Sequence, residues 1–206
     1  MPTKIHTTPR LTFSSLAKLM APHTPMAQQT ILTGHKYPRS GPMLGYVNAL
    51  HHLVGLLKNG KPGGRALRPH EQAVVNAFKA QPFKLPKGVK VLKQRPNAKQ
   101  KYWHYHGVDI SVFPDVLLDG PKGKGALKLY PNQEPLARGV GKTMATLLHH
   151  YMTSVNPAGQ AHPSYCLVYE IRKGKFHRAG TGNATANALK RAQVACGMAA
   201  AVWPTL

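Results

Sequence analysis

Residues 113 to 130 read FPDVLLDGPKGKGALKLY, and how this stretch is taken decides the fold. Val116, Leu117 and Leu118 make a short apolar run that starts at Pro114-Asp115. Asp119-Gly120 is a turn dipeptide, because Asp hydrogen-bonds its own backbone and Gly tolerates positive φ. The Lys- and Gly-rich residues after it extend the turn, and ALKLY reads as a second short strand ended by Pro131. Two strands and a turn result, with Asp115 at the entrance and Lys128 in the exit strand.

Working outward, KGVKVLKQ (87–94) alternates Lys with Val or Leu, as a strand with one wet face does. KYWHYHGVDISVFPDVLL (101–118) is aromatic and β-branched and predicts a strand bent near Gly107. Two helices come earlier. In the first, Met43, Val47, Leu50, Val54 and Leu57 recur at helical spacing and Asn59-Gly60 supplies the stop. The second, HEQAVVNAFKAQ, follows Pro69. Downstream, VGKTMATLLHHYM predicts a helix and SYCLVYEIRKGKFHRA a strand, a Lys-Gly turn and a shorter strand. NATANALKRAQVACGMAAAVW closes the chain as a helix with Leu189, Ala192, Ala195 and Val202 on one face. Hairpin strands, then a crossover helix and another strand, imply a mixed α/β domain whose sheet carries helices on its faces. The expected division is a basic, largely irregular N-terminal arm over 1–40, rich in Pro, Thr and Ser, and a single domain over 41–206.

Charge narrows the function. The chain has 28 Lys and Arg against six carboxylates, a formal charge of +22, and residues 1–70 contain no acid. Self-repulsion on that scale is tolerated when a polyanion neutralises it, and nucleic acid is the commonest one. No apolar stretch approaches the ~18 residues of a membrane span. The opening MPTKIHTTPRLTFSSLAKLMA has the basic, hydroxyl-rich look of an organellar transit peptide. The acid-free character runs far beyond a plausible cleavage site, which favours a flexible basic arm. Cys166 and Cys196 stand in apolar surroundings on different elements and read as reduced core residues. A cytoplasmic or nucleoid-associated protein is expected, with organellar targeting as the alternative.

The carboxylates are few enough to weigh singly: Glu71, Asp109, Asp115, Asp119, Glu134 and Glu170. Asp119 serves its turn, Asp109 sits between Val108 and Ile110 on an alternating strand, and Asp115 lies where the strand restarts. Pro114-Asp115 followed by Ala126-Leu127-Lys128 resembles the signature of the PD-(D/E)XK nuclease-like family, over roughly 69–171. That resemblance implies a restriction-endonuclease-like core. In it Asp115 would be the first ligand of a divalent metal, Mg²⁺ in an active enzyme, Lys128 would orient the attacking water, and Glu71 would be the helix acid. Ala126 stands where the family carries its second acid, so the resemblance implies a catalytically degenerate member that needs no cofactor. Asp109, brought beside Asp115 by a bend, or Glu134, reaching in from its loop, is the candidate replacement ligand, and with it metal-dependent phosphodiester hydrolysis centred on Asp115 and Lys128.

The strongest positive signal is KLPKGVKVLKQRPNAKQKYWHYH (84–106). Lys84, Lys87, Lys90, Lys93, Arg95, Lys99 and Lys101 are cations without an intervening acid, and they run into Tyr102 and Trp103. Cations track phosphates and exposed aromatic rings stack on bases. Arg172, Lys173 and Lys175 form a second group at a hairpin tip. RGVGKT (138–143) lacks the upstream Gly of a P-loop and reads as a Gly-rich turn opening a helix, an N-terminus able to hold a nucleic-acid phosphate. GTGNATANALKRAQVACG (180–197) is similar to the last helix of double-stranded-RNA-binding domains and to a helix of strand-annealing proteins, two further nucleic-acid readings. The function expected is nucleic-acid binding, of DNA or RNA, alone or as a basic component of a larger nucleoprotein assembly.

Overall fold

The computed structural model describes residues 6–21, 24–37, 45–81, 83–92, 102–155 and 161–206, with the side chain of residue 155 left aside. In chain order the elements are β1 (Arg10–Thr12), α1 (Phe13–Leu19), α2 (Pro25–Lys36), α3 (Val47–Asn59), α4 (Pro69–Ala80), β2 (Lys90–Val91), β3 (Trp103–Tyr105), β4 (Val108–Ser111), β5 (Val116–Gly120), β6 (Gly123–Tyr130), α5 (Val140–Val155), β7 (Ala161–Glu170), β8 (Lys175–Arg178) and α6 (Asn183–Val202). The mixed α/β class follows the sequence reading.

The main sheet has the order β2-β5-β6-β7-β8. β5 and β6 are the hairpin read from residues 113–130, antiparallel with Leu117 opposite Ala126. β7 runs parallel to β6 and is reached through α5, as a parallel connection requires a crossover. Alternation along the strands sorts the core into two layers. Val116, Leu118, Leu127, Leu129, Leu167 and Tyr169 face α3 and α4. Ala126, Tyr130 and Val168 face α5, α6 and α1.

α3 ends where expected, with Gly60 at φ 67° closing it from the left-handed region. Of its expected face, however, Met43 lies outside the described residues, Val47 is exposed, Leu50, Val54 and Leu57 are partly buried, and Ala49 and Leu53 are the fully buried residues. α6 buries Ala188, Ala192, Ala195, Cys196 and Ala199, so Ala192 and Ala195 of the anticipated face are confirmed and Leu189 and Val202 lie at its margin. Both cysteines are free and buried. No helix among the described residues is long and apolar enough to cross a membrane.

Two expectations need correction. The segment expected to be one strand bent near Gly107 is a tight hairpin, because His106 at φ 44° and Gly107 at φ 79° reverse the chain between β3 and β4. These strands join β1 in a separate three-stranded sheet, order β1-β4-β3. The second correction concerns the irregular arm over 1–40. Its described residues hold β1, α1 and α2, and Leu11, Phe13, Leu16, Leu19 and Leu32 are core residues. Thr12 caps α1 by accepting from Ser15 N–H at 3.1 Å, and Thr24 caps α2 by accepting from Ala27 N–H at 3.3 Å. Trp203 Nε1 donates to the His6 carbonyl and Lys36 Nζ to the Trp203 carbonyl, clasping this segment to the C-terminal end of α6. A three-residue strand and a seven-residue helix show too few periods to be read, and their stability comes from packing rather than propensity.

Candidate nucleic-acid interface

Asp115 and Lys128 do meet. Asp115 opens β5, Lys128 lies opposite it in β6, and Lys128 Nζ stands 3.2 Å from Asp115 Oδ1. Lys128 also donates to the Phe113 carbonyl at 2.8 Å, and Asp115 Oδ2 accepts from Leu129 N–H at 2.7 Å. Both carboxylate oxygens are therefore engaged inside the hairpin, and the buried methyl of Ala126 occupies the neighbouring position on that face.

The other acids proposed for a metal site stand elsewhere. Asp109 is on β4 between its register partners Arg10 and His104. Its Oδ2 lies 3.6 Å from Arg10 Nε and its Oδ1 3.1 Å from His104 Nδ1, so it has no partner in common with Asp115. Glu71 belongs to α4, in the layer on the opposite face of the main sheet from the Asp115–Lys128 pair. There it accepts from Asn48 N–H at 3.0 Å, Asn48 Nδ2 at 3.3 Å and Arg68 N–H at 3.1 Å, fastening the N-terminal turns of α3 and α4 together. Burial opposes its ionisation, but these hydrogen bonds and nearby His70 outweigh that and hold its pKa below the ordinary value. Among the described residues, no three His, Cys, Asp or Glu side chains group so that they could share an ion. A hard cation needs several carboxylate oxygens with free lone pairs, and this donor set does not fit one.

Glu134, on the loop before α5, is exposed and pairs with Lys18 at 3.2 Å. Glu170 is the acid with an unanticipated role. Its Oε2 lies 3.1 Å from His177 Nε2 on β8, and its Oε1 accepts from Leu136 N–H at 3.2 Å. The His177 ring in turn packs against Gly141, leaving no room there for a Cβ. One carboxylate thus joins β7, β8 and the entry to α5. The sequence carries no local signal for this, since residues 136, 170 and 177 meet only through the crossover.

The cations occupy the surface. Lys84, Lys87 and Lys90 are exposed, whereas Lys93, Arg95, Lys99 and Lys101 lie outside the described residues. The fold divides the basic run rather than presenting it as one stripe. Phe83 packs on Phe176 of β8 with ring centroids 5.3 Å apart, and Gln81 lies so close to Gly174 that a Cβ there would meet its Oε1 at 2.7 Å. Gln81 and Phe83 are thereby pinned beside the turn that holds exposed Lys173 and Lys175, and exposed Lys84 follows them in the chain. Arg172 is half-buried and donates to the Pro131 carbonyl at 3.4 Å, so it braces this corner rather than projecting from it.

Lys87 and Lys90 go to the opposite edge of the sheet. β2 pairs with β5 so that Lys90 faces Asp119, which faces Lys124 in β6. Gly88, at φ 76°, lies against Pro121 in the β5–β6 turn, which brings in exposed Lys122. Lys122 and Lys124 were missed in the sequence because they read as turn residues; four lysines and one acid gather at this corner. The Lys173–Lys175 turn and the Lys90–Lys124 edge lie at diagonal corners of the sheet, and residues 84–87 run between them, since three residues of chain reach at most about 11 Å.

The aromatic expectation splits as well. Tyr102 is 47% exposed with the Arg10 guanidinium 5.0 Å over its ring, so it can meet a ligand. Trp103 points inward, stacked on Tyr105 with centroids 4.4 Å apart and edge-on to His150 at 5.5 Å. Strand alternation turns one of two adjacent aromatics toward the core, where Trp103 is partly buried.

No family model, curated protein or solved structure matches the chain.

Proposed function

We propose that the chain binds nucleic acid, chiefly through phosphate contacts with limited sequence preference, on a nuclease-like core that has lost its metal site. The observation that carries this reading is the separation of charge. Five of the six carboxylates have a partner within the protein: Glu71, Asp109, Asp115, Glu134 and Glu170. The exposed lysines at both sheet corners pair with no carboxylate among the described residues, so most of the +22 charge faces outward. Such a surface releases counterions from a phosphate backbone and gains affinity from their entropy. The nuclease-like part of the reading rests on the element order α4, β2, β5, β6, α5, β7 and on the Asp115–Lys128 pair, with the β3–β4 hairpin inserted between β2 and β5. Ala126 and the engagement of both Asp115 oxygens within the hairpin support lost catalysis.

The test is binding to mixed-sequence DNA and RNA oligonucleotides across a salt series. Affinity is expected to fall about 10-fold or more between about 50 and 200 mM salt, and Lys84→Ala/Lys173→Ala/Lys175→Ala to weaken it by about 10-fold without lowering the melting temperature. Absence of binding at low salt would refute the proposal in favour of a structural component that works only within an assembly. Mg²⁺-dependent cleavage that a chelator stops and Asp115→Ala abolishes would replace it with an active nuclease.

A further inference from the structure

We propose that Arg138, Lys142 and Arg191 form a third phosphate-binding cluster, and that the polymer they grip is double-stranded. This rests on the nucleic-acid reading above and names the form of the partner.

The three residues are up to 53 positions apart in sequence and come from the loop before α5, the first turn of α5 and the middle of α6. The fold brings them together through two glycines. Gly139, at φ 81°, has no Cβ, and the Arg191 guanidinium lies where one would point, 3.1 Å away. Arg138 precedes that glycine directly, and Lys142 is one helical turn on, where Thr143 N–H bonds the Gly139 carbonyl. On the other side Gly180, held by its N–H to Thr146 Oγ1 at 2.9 Å, presses within 3.1 Å (from a would-be Cβ) of Lys142 Cε. All three cations are exposed, and none pairs with a carboxylate among the described residues. Three guanidinium and ammonium groups held near one another repel, and α5 and α6 place no acid in their first turns to relieve it. A phosphate diester run would.

The cluster also continues the Lys173–Lys175 corner. Gly141 in the first turn of α5 packs on His177, and Lys175 lies two residues before His177 on the same face of β8. A cationic rim therefore follows one end of the sheet from β8 across α5 to α6.

Double-stranded form is favoured by what this rim lacks. Proteins that hold single strands offer aromatic platforms on which successive bases stack. Trp103 and Tyr105 are partly buried, stacked on each other and packed against the core, and Tyr102, with Arg10 over it, is the one large aromatic exposed among the described residues. A surface of cations without ring platforms reads the backbone, and the duplex presents phosphates at twice the linear density of one strand.

The experiment measures affinity of the full chain for duplexes of about 20 bp, in DNA and RNA, and for the single strands of the same length, across about 50 to 200 mM salt. Tighter binding to either duplex than to its single strands is expected. Arg138→Ala/Lys142→Ala/Arg191→Ala should lower duplex affinity by about 10-fold or more and reduce the log–log salt slope by up to about 3, with an unchanged melting temperature. Single strands bound as tightly as duplexes overturn the assignment of form. A triple variant with wild-type affinity and slope overturns the cluster but leaves nucleic-acid binding standing. A wild-type chain that binds neither polymer overturns both this proposal and the function beneath it.

Discussion

Glu170 and Asp115 are both carboxylates of the main sheet paired with a base, and they do different work. Asp115 bonds Lys128 and Leu129, neighbours in its own hairpin, and its side chain is 13% exposed. Glu170 is 5% exposed and gathers partners from β8 and from the loop before α5, segments that the chain reaches only by crossing the sheet. The motif resemblance singles out the first pair, and nothing in the sequence singles out the second. The difference teaches that two carboxylates can both fasten the sheet from within, one inside a single hairpin and the other between segments that the crossover separates.

Three substitutions or conditions strain that contrast. Glu170→Ala should be the most damaging, costing about 2–4 kcal/mol, because it leaves the partly buried His177 ring and Leu136 N–H without this partner. Urea unfolding followed by circular dichroism reads it, and a loss under about 1 kcal/mol would show the fastener to be dispensable. Asp115→Asn should cost less, about 1–2 kcal/mol, since the partly exposed pair lies within a single hairpin and the amide can still accept from Leu129. Oligonucleotide affinity should stay at the wild-type level in this variant, which separates a fold-holding role from a contact role.

The smallest effect belongs to Glu71 and depends on pH. Its folded pKa is depressed, so the unfolded chain binds its proton first as pH falls. The stability it supplies is present above the ordinary value of 4.5 and is lost as pH drops through the lower folded value. Unfolding midpoints of the wild type should therefore decline on that acid limb, and Glu71→Gln should show a shallower decline. Equal slopes would mean that the α3–α4 fastening does not depend on the charge.

Much of the fold was legible. Helical spacing located α3 and α4, Asn59-Gly60 marked a stop, and the hairpin of β5 and β6 was written in Asp119-Gly120 and the runs on either side. The thiols were legible too. Burial pushes Cys166 and Cys196 up to about 12, which makes them the inert core residues that their apolar neighbours suggested. The N-terminal segment was not legible, because its short elements are held by α6 rather than by their own periodicity. Of the candidate site, the meeting of Asp115 with Lys128 was anticipated, while the placement of Glu71 beneath the other face and of Trp103 against the core was not. A linear motif carries no information about which side of a sheet a helix covers.

By itself the sequence determined the charge, the mixed α/β class and the scarcity of acids, since composition and short-range periodicity belong to the chain before it folds. Tertiary structure decided how that charge is spent: Lys90 joins Lys122 and Lys124, and Arg191 comes to rest at Gly139. Each of these meetings closes a loop of many residues. Only burial of the apolar layers between them, which no local pattern specifies, holds the cations in those positions.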